Sequence, residues 1–295
     1  MPKYEYQVLP RGRNFIRILN LFPSETDDQG VSWELLVVPA PGDDPIRKPS
    51  TPENEKYEAL SWFWGHAKPT EPIAVFQNGS FRAKYVSPEL AAALKALRRP
   101  RNNRNLWIDA VCINQDDPLE KNHQVMMMSA IYRHAGSVCV WLGPGDESST
   151  SAFKFIKDEL LQLHKLDNLG NDHTRAKWVA FLALMQRSWF SRRWVVQEIA
   201  LARSAMIYCG MDTMSWKDFA IAVELLVEMI ASRPEFSKIM RRDLLFGHVE
   251  SWINYASTLG ASLLVSATAA GKLFQEPGFM GYLAPSRHYR EVGET

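Results

Sequence analysis

Three apolar runs, at residues 57–64, 106–113 and 138–142, constrain the fold most tightly. In Leu106-Trp-Ile-Asp-Ala-Val-Cys-Ile113 and Val138-Cys-Val-Trp-Leu142 the apolar side chains are nearly continuous rather than alternating, the pattern that burial on both faces of a sheet demands. Between these two runs Val125, Met128 and Tyr132 recur at helical spacing with Ile131 beside them, which predicts a helix near 119–134. Strand, helix, strand is the order of a βαβ unit and therefore of a parallel sheet. The expected fold class is α/β: a central, mostly parallel sheet flanked by helices, with a helical C-terminal elaboration.

Upstream, residues 15–19 and 31–38 read as strands, and the proline-rich stretch 39–55 as an exposed loop. Residues 73–76 and 81–86 flank Asn78-Gly79, a hairpin signal because Asn-Gly favours the primed turns that match strand twist. Ser87-Pro88 supplies an N-cap and a first-turn proline for a helix over 89–97. Downstream, helices are expected near 151–166, 175–186, 192–203, 216–232 and 238–263. The 295 residues suit one large domain, with an α/β core over 15–210 and a mainly helical region over 211–295.

Lysine plus arginine number 34 against 33 acids, so the chain carries no global charge footprint of a nucleic-acid binder. Cys112, Cys139 and Cys209 are odd in number, far apart and without a CxxC pair; free buried thiols are expected, and neither a disulfide scaffold nor a zinc site. The N-terminal residues lack an apolar signal core. The most lipid-like stretch, 259–270, is about a dozen residues where a span needs about 20. These features predict a cytoplasmic protein without a membrane span.

Three segments carry a resemblance to the fungal heterokaryon-incompatibility (HET) domain family. The first is Tyr57-Glu-Ala-Leu-Ser-Trp-Phe-Trp-Gly65, with Trp62 where a tyrosine is usual. The second runs from Leu106 through Asp109, Asn114-Gln115, Glu120 and His123-Gln124 to Trp141-Leu-Gly143, with Lys121 where the family usually has arginine. The third is Arg187-Ser-Trp-Phe190 followed by Arg192-Arg-Trp-Val-Val-Gln-Glu198 and Ile199 to Ala202. The Asp-Pro-Arg segment that many members carry after the third motif is missing. The family is in turn distantly similar to TIR domains, some of which cleave NAD. That fold-level likeness matches a strand ending at Ser61, a strand carrying Asp109, a third at 138–142 and the Trp194-x-x-x-Glu198 helix.

The site residues follow from both lines. At about 100° per residue, Val195, Ile199 and Ala202 form the core stripe of their helix, and Trp194, Glu198 and Leu201 lie just off it. Glu198 is thus expected at the edge of the buried face: a catalytic carboxylate, or a helix acid paired with a nearby base. Asp109, inside an apolar run, needs a partner, whether in a site with Asn114, Gln115 and Asp116 or as a structural acid capping the next loop. Trp64 is a stacking platform or a core residue, and Gly65 permits a tight turn beside Ser61. The TIR likeness implies Glu198, Asp109 and Glu120 in catalysis, Trp64 against a ring and Trp194 at the binding site, while Arg187, Arg192 and Arg193 are candidates for holding a pyrophosphate or, equally, for capping a helix or pairing with acids. The leading expectation is a cell-death effector that hydrolyses the nicotinamide–ribose bond of NAD, requires no cofactor or metal, self-associates on activation and answers to an upstream incompatibility or receptor protein. The alternative is a non-enzymatic, self-associating interaction module.

Overall fold

The computed structural model describes residues 1–11, 14–26, 30–41, 56–162, 172–192 and 195–232. A single nine-stranded sheet organises them, in the order β5-β4-β2-β1-β6-β3-β7-β8-β9. Its strands are β1 (Phe15–Leu21), β2 (Ser32–Pro39), β3 (Glu58–Trp62), β4 (Glu71–Gln77), β5 (Ser80–Val86), β6 (Arg104–Trp107), β7 (Val138–Trp141), β8 (Ala205–Cys209) and β9 (Asp212–Ser215). Four of the eight pairings are parallel and four antiparallel, so the sheet is mixed rather than mostly parallel. The parallel block β6-β3-β7-β8 is its centre, and there the expectation of continuous apolar strands holds: all four residues of β7 are buried, as are Ala59 to Trp62 of β3.

The antiparallel partners come from segments whose pairing a βαβ pattern does not encode. β1 lies between β2 and β6, antiparallel to both. β8 and β9 have no counterpart among the expected elements; they form a hairpin around Gly210, whose φ of +57° and approach to Gly145 leave no room for a side chain, since a Cβ there would lie 2.7 Å from the Gly145 nitrogen.

Helices α1 (Pro88–Leu97), α2 (Asp109–Cys112), α3 (Pro118–His134), α4 (Glu147–Phe155), α5 (Arg175–Met185), α6 (Val195–Ala200) and α7 (Trp216–Ser232) flank the sheet. The run 106–113 is corrected by the structure: the strand stops at Trp107 and Asp109 opens a helical turn. Its carboxylate accepts the Ala110 N–H at 2.8 Å, and an acid at a helix start is favoured over one in mid-strand. Val111 and Cys112 are buried from that turn instead of from a strand. Helix α4 begins earlier than expected, at a capping box between Asp146 and Ser149, and continues as a π-helical turn over Ile156–Leu160. Helix α6 is shorter than the expected 192–203, because a 3₁₀ turn at Ser188–Ser191 and an extended Arg192 precede it. The helix expected over 238–263 lies outside the described residues.

An aromatic cluster fixes the corner that carries the third motif. Trp189 packs edge-on against Phe190 and Trp216, and Phe190 stacks on Phe219, which meets Phe181. Aromatic pairs of this kind contribute about 0.5–1.5 kcal/mol each beyond buried area, so the 188–191 turn is pinned to α5 and α7. Among the described residues no helix is long and apolar enough to cross a membrane. Cys112, Cys139 and Cys209 are free and buried; burial pushes the Cys112 and Cys139 thiols up to about 12, which makes them inert at neutral pH.

Candidate functional site

Strand β3 delivers Ser61 and Trp62 to the carboxyl end of the parallel block, where ligands sit in open α/β sheets. Ser61 is fully buried; its hydroxyl donates to Glu198 and accepts the indole N–H of Trp189 at 2.8 Å. Arg192 spans both oxygens of Glu198, at 3.1 and 3.2 Å. The aromatic corner carries Trp189 over Ser61, so Glu198 is 2% exposed instead of lying at the edge of a buried face. Burial raises its pKa above the ordinary carboxylate value; Arg192 and the Ser61 hydrogen bond oppose the shift, while Asp109 adds to it.

Asp109 is the second buried acid. Trp62 donates to it at 3.2 Å and Trp64 to both of its oxygens at 3.1 Å, and the two indoles lie stacked with centroids 6.0 Å apart. Burial raises the Asp109 pKa too, with the charge of Arg192 the largest opposing influence. One guanidinium therefore acts on two desolvated carboxylates. Such a group favours protonation of an acid, or stabilises a positive charge brought to the pair.

Trp64, Gly65, Asn114, Gln115 and Asp116, all expected at a binding site, line one cleft of about 760 Å³. Gly65 takes φ +64°, the left-handed conformation anticipated for a tight turn. Gln115 donates to the Asp109 carbonyl at 2.9 Å, tying the 114–116 loop to α2. The far wall comes from the N-terminal segment and β5. Ser61, Glu198 and Arg192 are not among the lining residues; Trp62 and Trp64 line the cleft and reach Asp109 beneath it.

The structure does not bring Glu120 to this group. Its carboxylate is gripped by Arg17 at 2.5 and 3.0 Å and accepts the Asn114 N–H at 2.7 Å. Arg187 is held by Asp146 at 2.5 Å and by the Pro144 carbonyl. Arg193 and Trp194 lie outside the described residues. Among the described residues no group of three or more His, Cys, Asp and Glu side chains is placed to hold a metal ion. Sequence reasoning missed Trp189 as the partner of Ser61, although it stands inside the third motif, and missed Lys84, one of two basic residues with Arg82 in a hairpin strand that carries no other signal.

The profile of the heterokaryon incompatibility protein (HET) family matches residues 57–198. The heterokaryon incompatibility protein 6, OR allele, of Neurospora crassa is 29% identical over an alignment of 307 residues that covers 83% of this chain and 42% of that relative. The chain thus spans less than half the length of the curated relative it matches. No solved structure matches. The matched residues run from β3 to Glu198 of α6, and over them this chain is similar to the heterokaryon incompatibility (HET) family.

Proposed function

We propose that this chain is an effector module of fungal heterokaryon incompatibility that hydrolyses NAD at the nicotinamide–ribose bond. The observation that carries the reading is the convergence of Glu198 and Asp109, both with pKa values raised by burial, on the single guanidinium of Arg192. Carboxylates perturbed by desolvation together with a specific charge partner mark a candidate functional site. The order of β3, β6, β7 and then the helix bearing Glu198 also matches that of TIR domains, a fold-level analogy that supports the chemistry without carrying it.

In this reading Glu198 faces the nicotinamide ribose and stabilises the positive sugar as the C–N bond breaks. The bond electrons leave with neutral nicotinamide. Water adds to the sugar carbon, and its proton passes to a carboxylate and then to solvent, giving ADP-ribose. Asp109 positions the sugar or the water, and Arg192 exchanges Glu198 for a phosphate oxygen. Because Glu198 is shielded in this arrangement, the indoles of Trp62 and Trp64 shift to admit substrate. Self-association, or an upstream incompatibility partner, is the proposed trigger, so turnover rises faster than linearly with protein concentration.

Nicotinamide release from NAD by the wild type and Glu198→Gln tests this. The variant should lose about 10²–10³ in rate, the scale of one lost electrostatic partner; equal turnover removes Glu198 from the mechanism. A second reading, a non-enzymatic interaction module, is favoured by one observation: both Glu198 oxygens are already engaged by Ser61 and Arg192. Absence of turnover by concentrated, associated wild-type protein would select it.

A further inference from the structure

Lys84 lies on β5, partly buried, and lines the 760 Å³ cleft. Its ammonium rests 4.4 Å from the ring centroid of Tyr6 and 5.7 Å from that of Tyr4. The rings offer it an attractive face but no acceptor atom, and the Tyr6 hydroxyl is committed to the Val111 carbonyl at 2.8 Å. Among the described residues the Lys84 ammonium has neither a hydrogen bond nor an ion pair. A lysine ammonium carries three donors and is costly to desolvate unpaired. Burial pulls this amine down to about 8, with Lys3 and Arg17 adding to the fall and Asp116 opposing it. The group is therefore short of a negative partner in the place where a ligand would stand.

The rest of the cleft narrows the ligand. Trp64 is 39% exposed there and presents an indole face, a platform for a planar ring. The Gln115 Oε1 is buried without a hydrogen-bond partner while its Nε2 is spent on the Asp109 carbonyl, so the cleft wall holds an unmet acceptor. Lys3 and Lys84 are balanced by Glu5 and Asp116 among the lining residues, which suits a small ligand rather than a polyanionic chain. The volume falls within the range of about 300–1,000 Å³ typical of small-molecule sites. We infer that this cleft is a nucleotide pocket in which Lys84 takes a phosphate and Trp64 takes the planar ring. The inference rests on the nucleotide reading above for its ligand class, and not on the chemistry of Glu198.

Calorimetric titration of the full chain with ADP-ribose, ADP and adenosine tests it. ADP-ribose and ADP should bind, and adenosine, which lacks phosphate, should bind about tenfold to a hundredfold more weakly, the scale of one charge-assisted contact. Lys84→Met should weaken ADP-ribose by a similar factor and bring it close to adenosine, and Lys84→Arg should restore most of the loss. Equal affinity for ADP and adenosine overturns the assignment without recourse to any variant. So does undiminished binding by Lys84→Met, or failure of folded wild-type protein to bind ADP-ribose at millimolar concentration. Phosphate-dependent binding that Lys84→Met loses, with no nicotinamide release, removes only the catalytic reading. Nicotinamide release with an unchanged KM in Lys84→Met removes only the pocket.

Discussion

Arg17–Glu120 and Arg192–Glu198 are built from the same two groups, each guanidinium spanning both carboxylate oxygens, yet their surroundings differ. Arg17 also donates to the Cys112 carbonyl at 3.1 Å and the Gln7 carbonyl at 2.7 Å, and lies over the Tyr6 ring. Glu120 in turn accepts a backbone N–H from Asn114. Five segments are stapled there, and the hydrogen-bonding capacity of both groups is largely spent. The Arg192 guanidinium, by contrast, hydrogen-bonds only to Glu198 among the described residues, at longer distances, and faces the charge of a second buried acid. A saturated pair holds a fold together. A pair with unspent donors and a competing carboxylate is a place where something can be exchanged.

The largest effect expected from this contrast is on stability. Removing one partner of a buried, saturated pair costs about 3–5 kcal/mol, so Arg17→Ala should lower the unfolding free energy by that much in urea titration. A loss below about 1 kcal/mol, the range of an exposed pair, would make Arg17–Glu120 no staple. On activity the order reverses: Glu198→Gln should depress nicotinamide release, whereas Glu120→Gln should change it only in proportion to the folded fraction. A full catalytic loss in well-folded Glu120→Gln would return that residue to the site. A smaller change is expected at Trp189→Phe, which keeps the ring in the aromatic cluster but removes the hydrogen bond to Ser61. About 1 kcal/mol is the usual worth of such a bond, and an unchanged melting curve would show that Ser61 is held by Glu198 alone.

The smallest effect is on pH dependence. The folded-state pKa values of Glu198 and Asp109 are raised, so the folded protein takes up their protons before the unfolded chain does. Their contribution to stability is fully present below the unfolded carboxylate values and is lost as pH rises through the folded ones. Acidification from neutral pH should therefore relieve the fold of two desolvated charges. The Glu198→Gln, Asp109→Asn double variant should lack that component when unfolding is followed across the acid range. Parallel pH profiles for the two proteins would mean that Arg192 compensates the charges completely.

The apolar runs made β3 and β7 legible, and the capping pair Ser87-Pro88 placed α1, because burial and cap chemistry are local properties. Alternation was present in Ala205, Ile207 and Cys209, but five residues beside a helix-rich region carry a weak signal. The antiparallel placement of β1 depends on which strands it meets, which no local pattern records. Asp109 was read correctly as an acid needing partners; that the partners are two indoles follows from tertiary placement of β3 over α2. The full burial of Glu198 escaped notice for the same reason, since the helix stripe says which face is apolar and not what the 188–191 turn lays across it.

Strands β1 and β2 have a consequence for how the gene is read and cut. Residues 57–198 are the stretch that the family profile recognises, but in the sheet they form two separate pieces: the β4–β5 hairpin on one side and β6-β3-β7 on the other, joined only through β2 and β1. The same stretch omits Arg17, the partner of Glu120, and the N-terminal wall beside Lys84. An expression clone or a natural allele beginning at the recognised boundary would encode every signature motif and yet leave out the two strands that splice them into one body. For this chain the heritable unit of folding is longer than the unit of recognisable sequence.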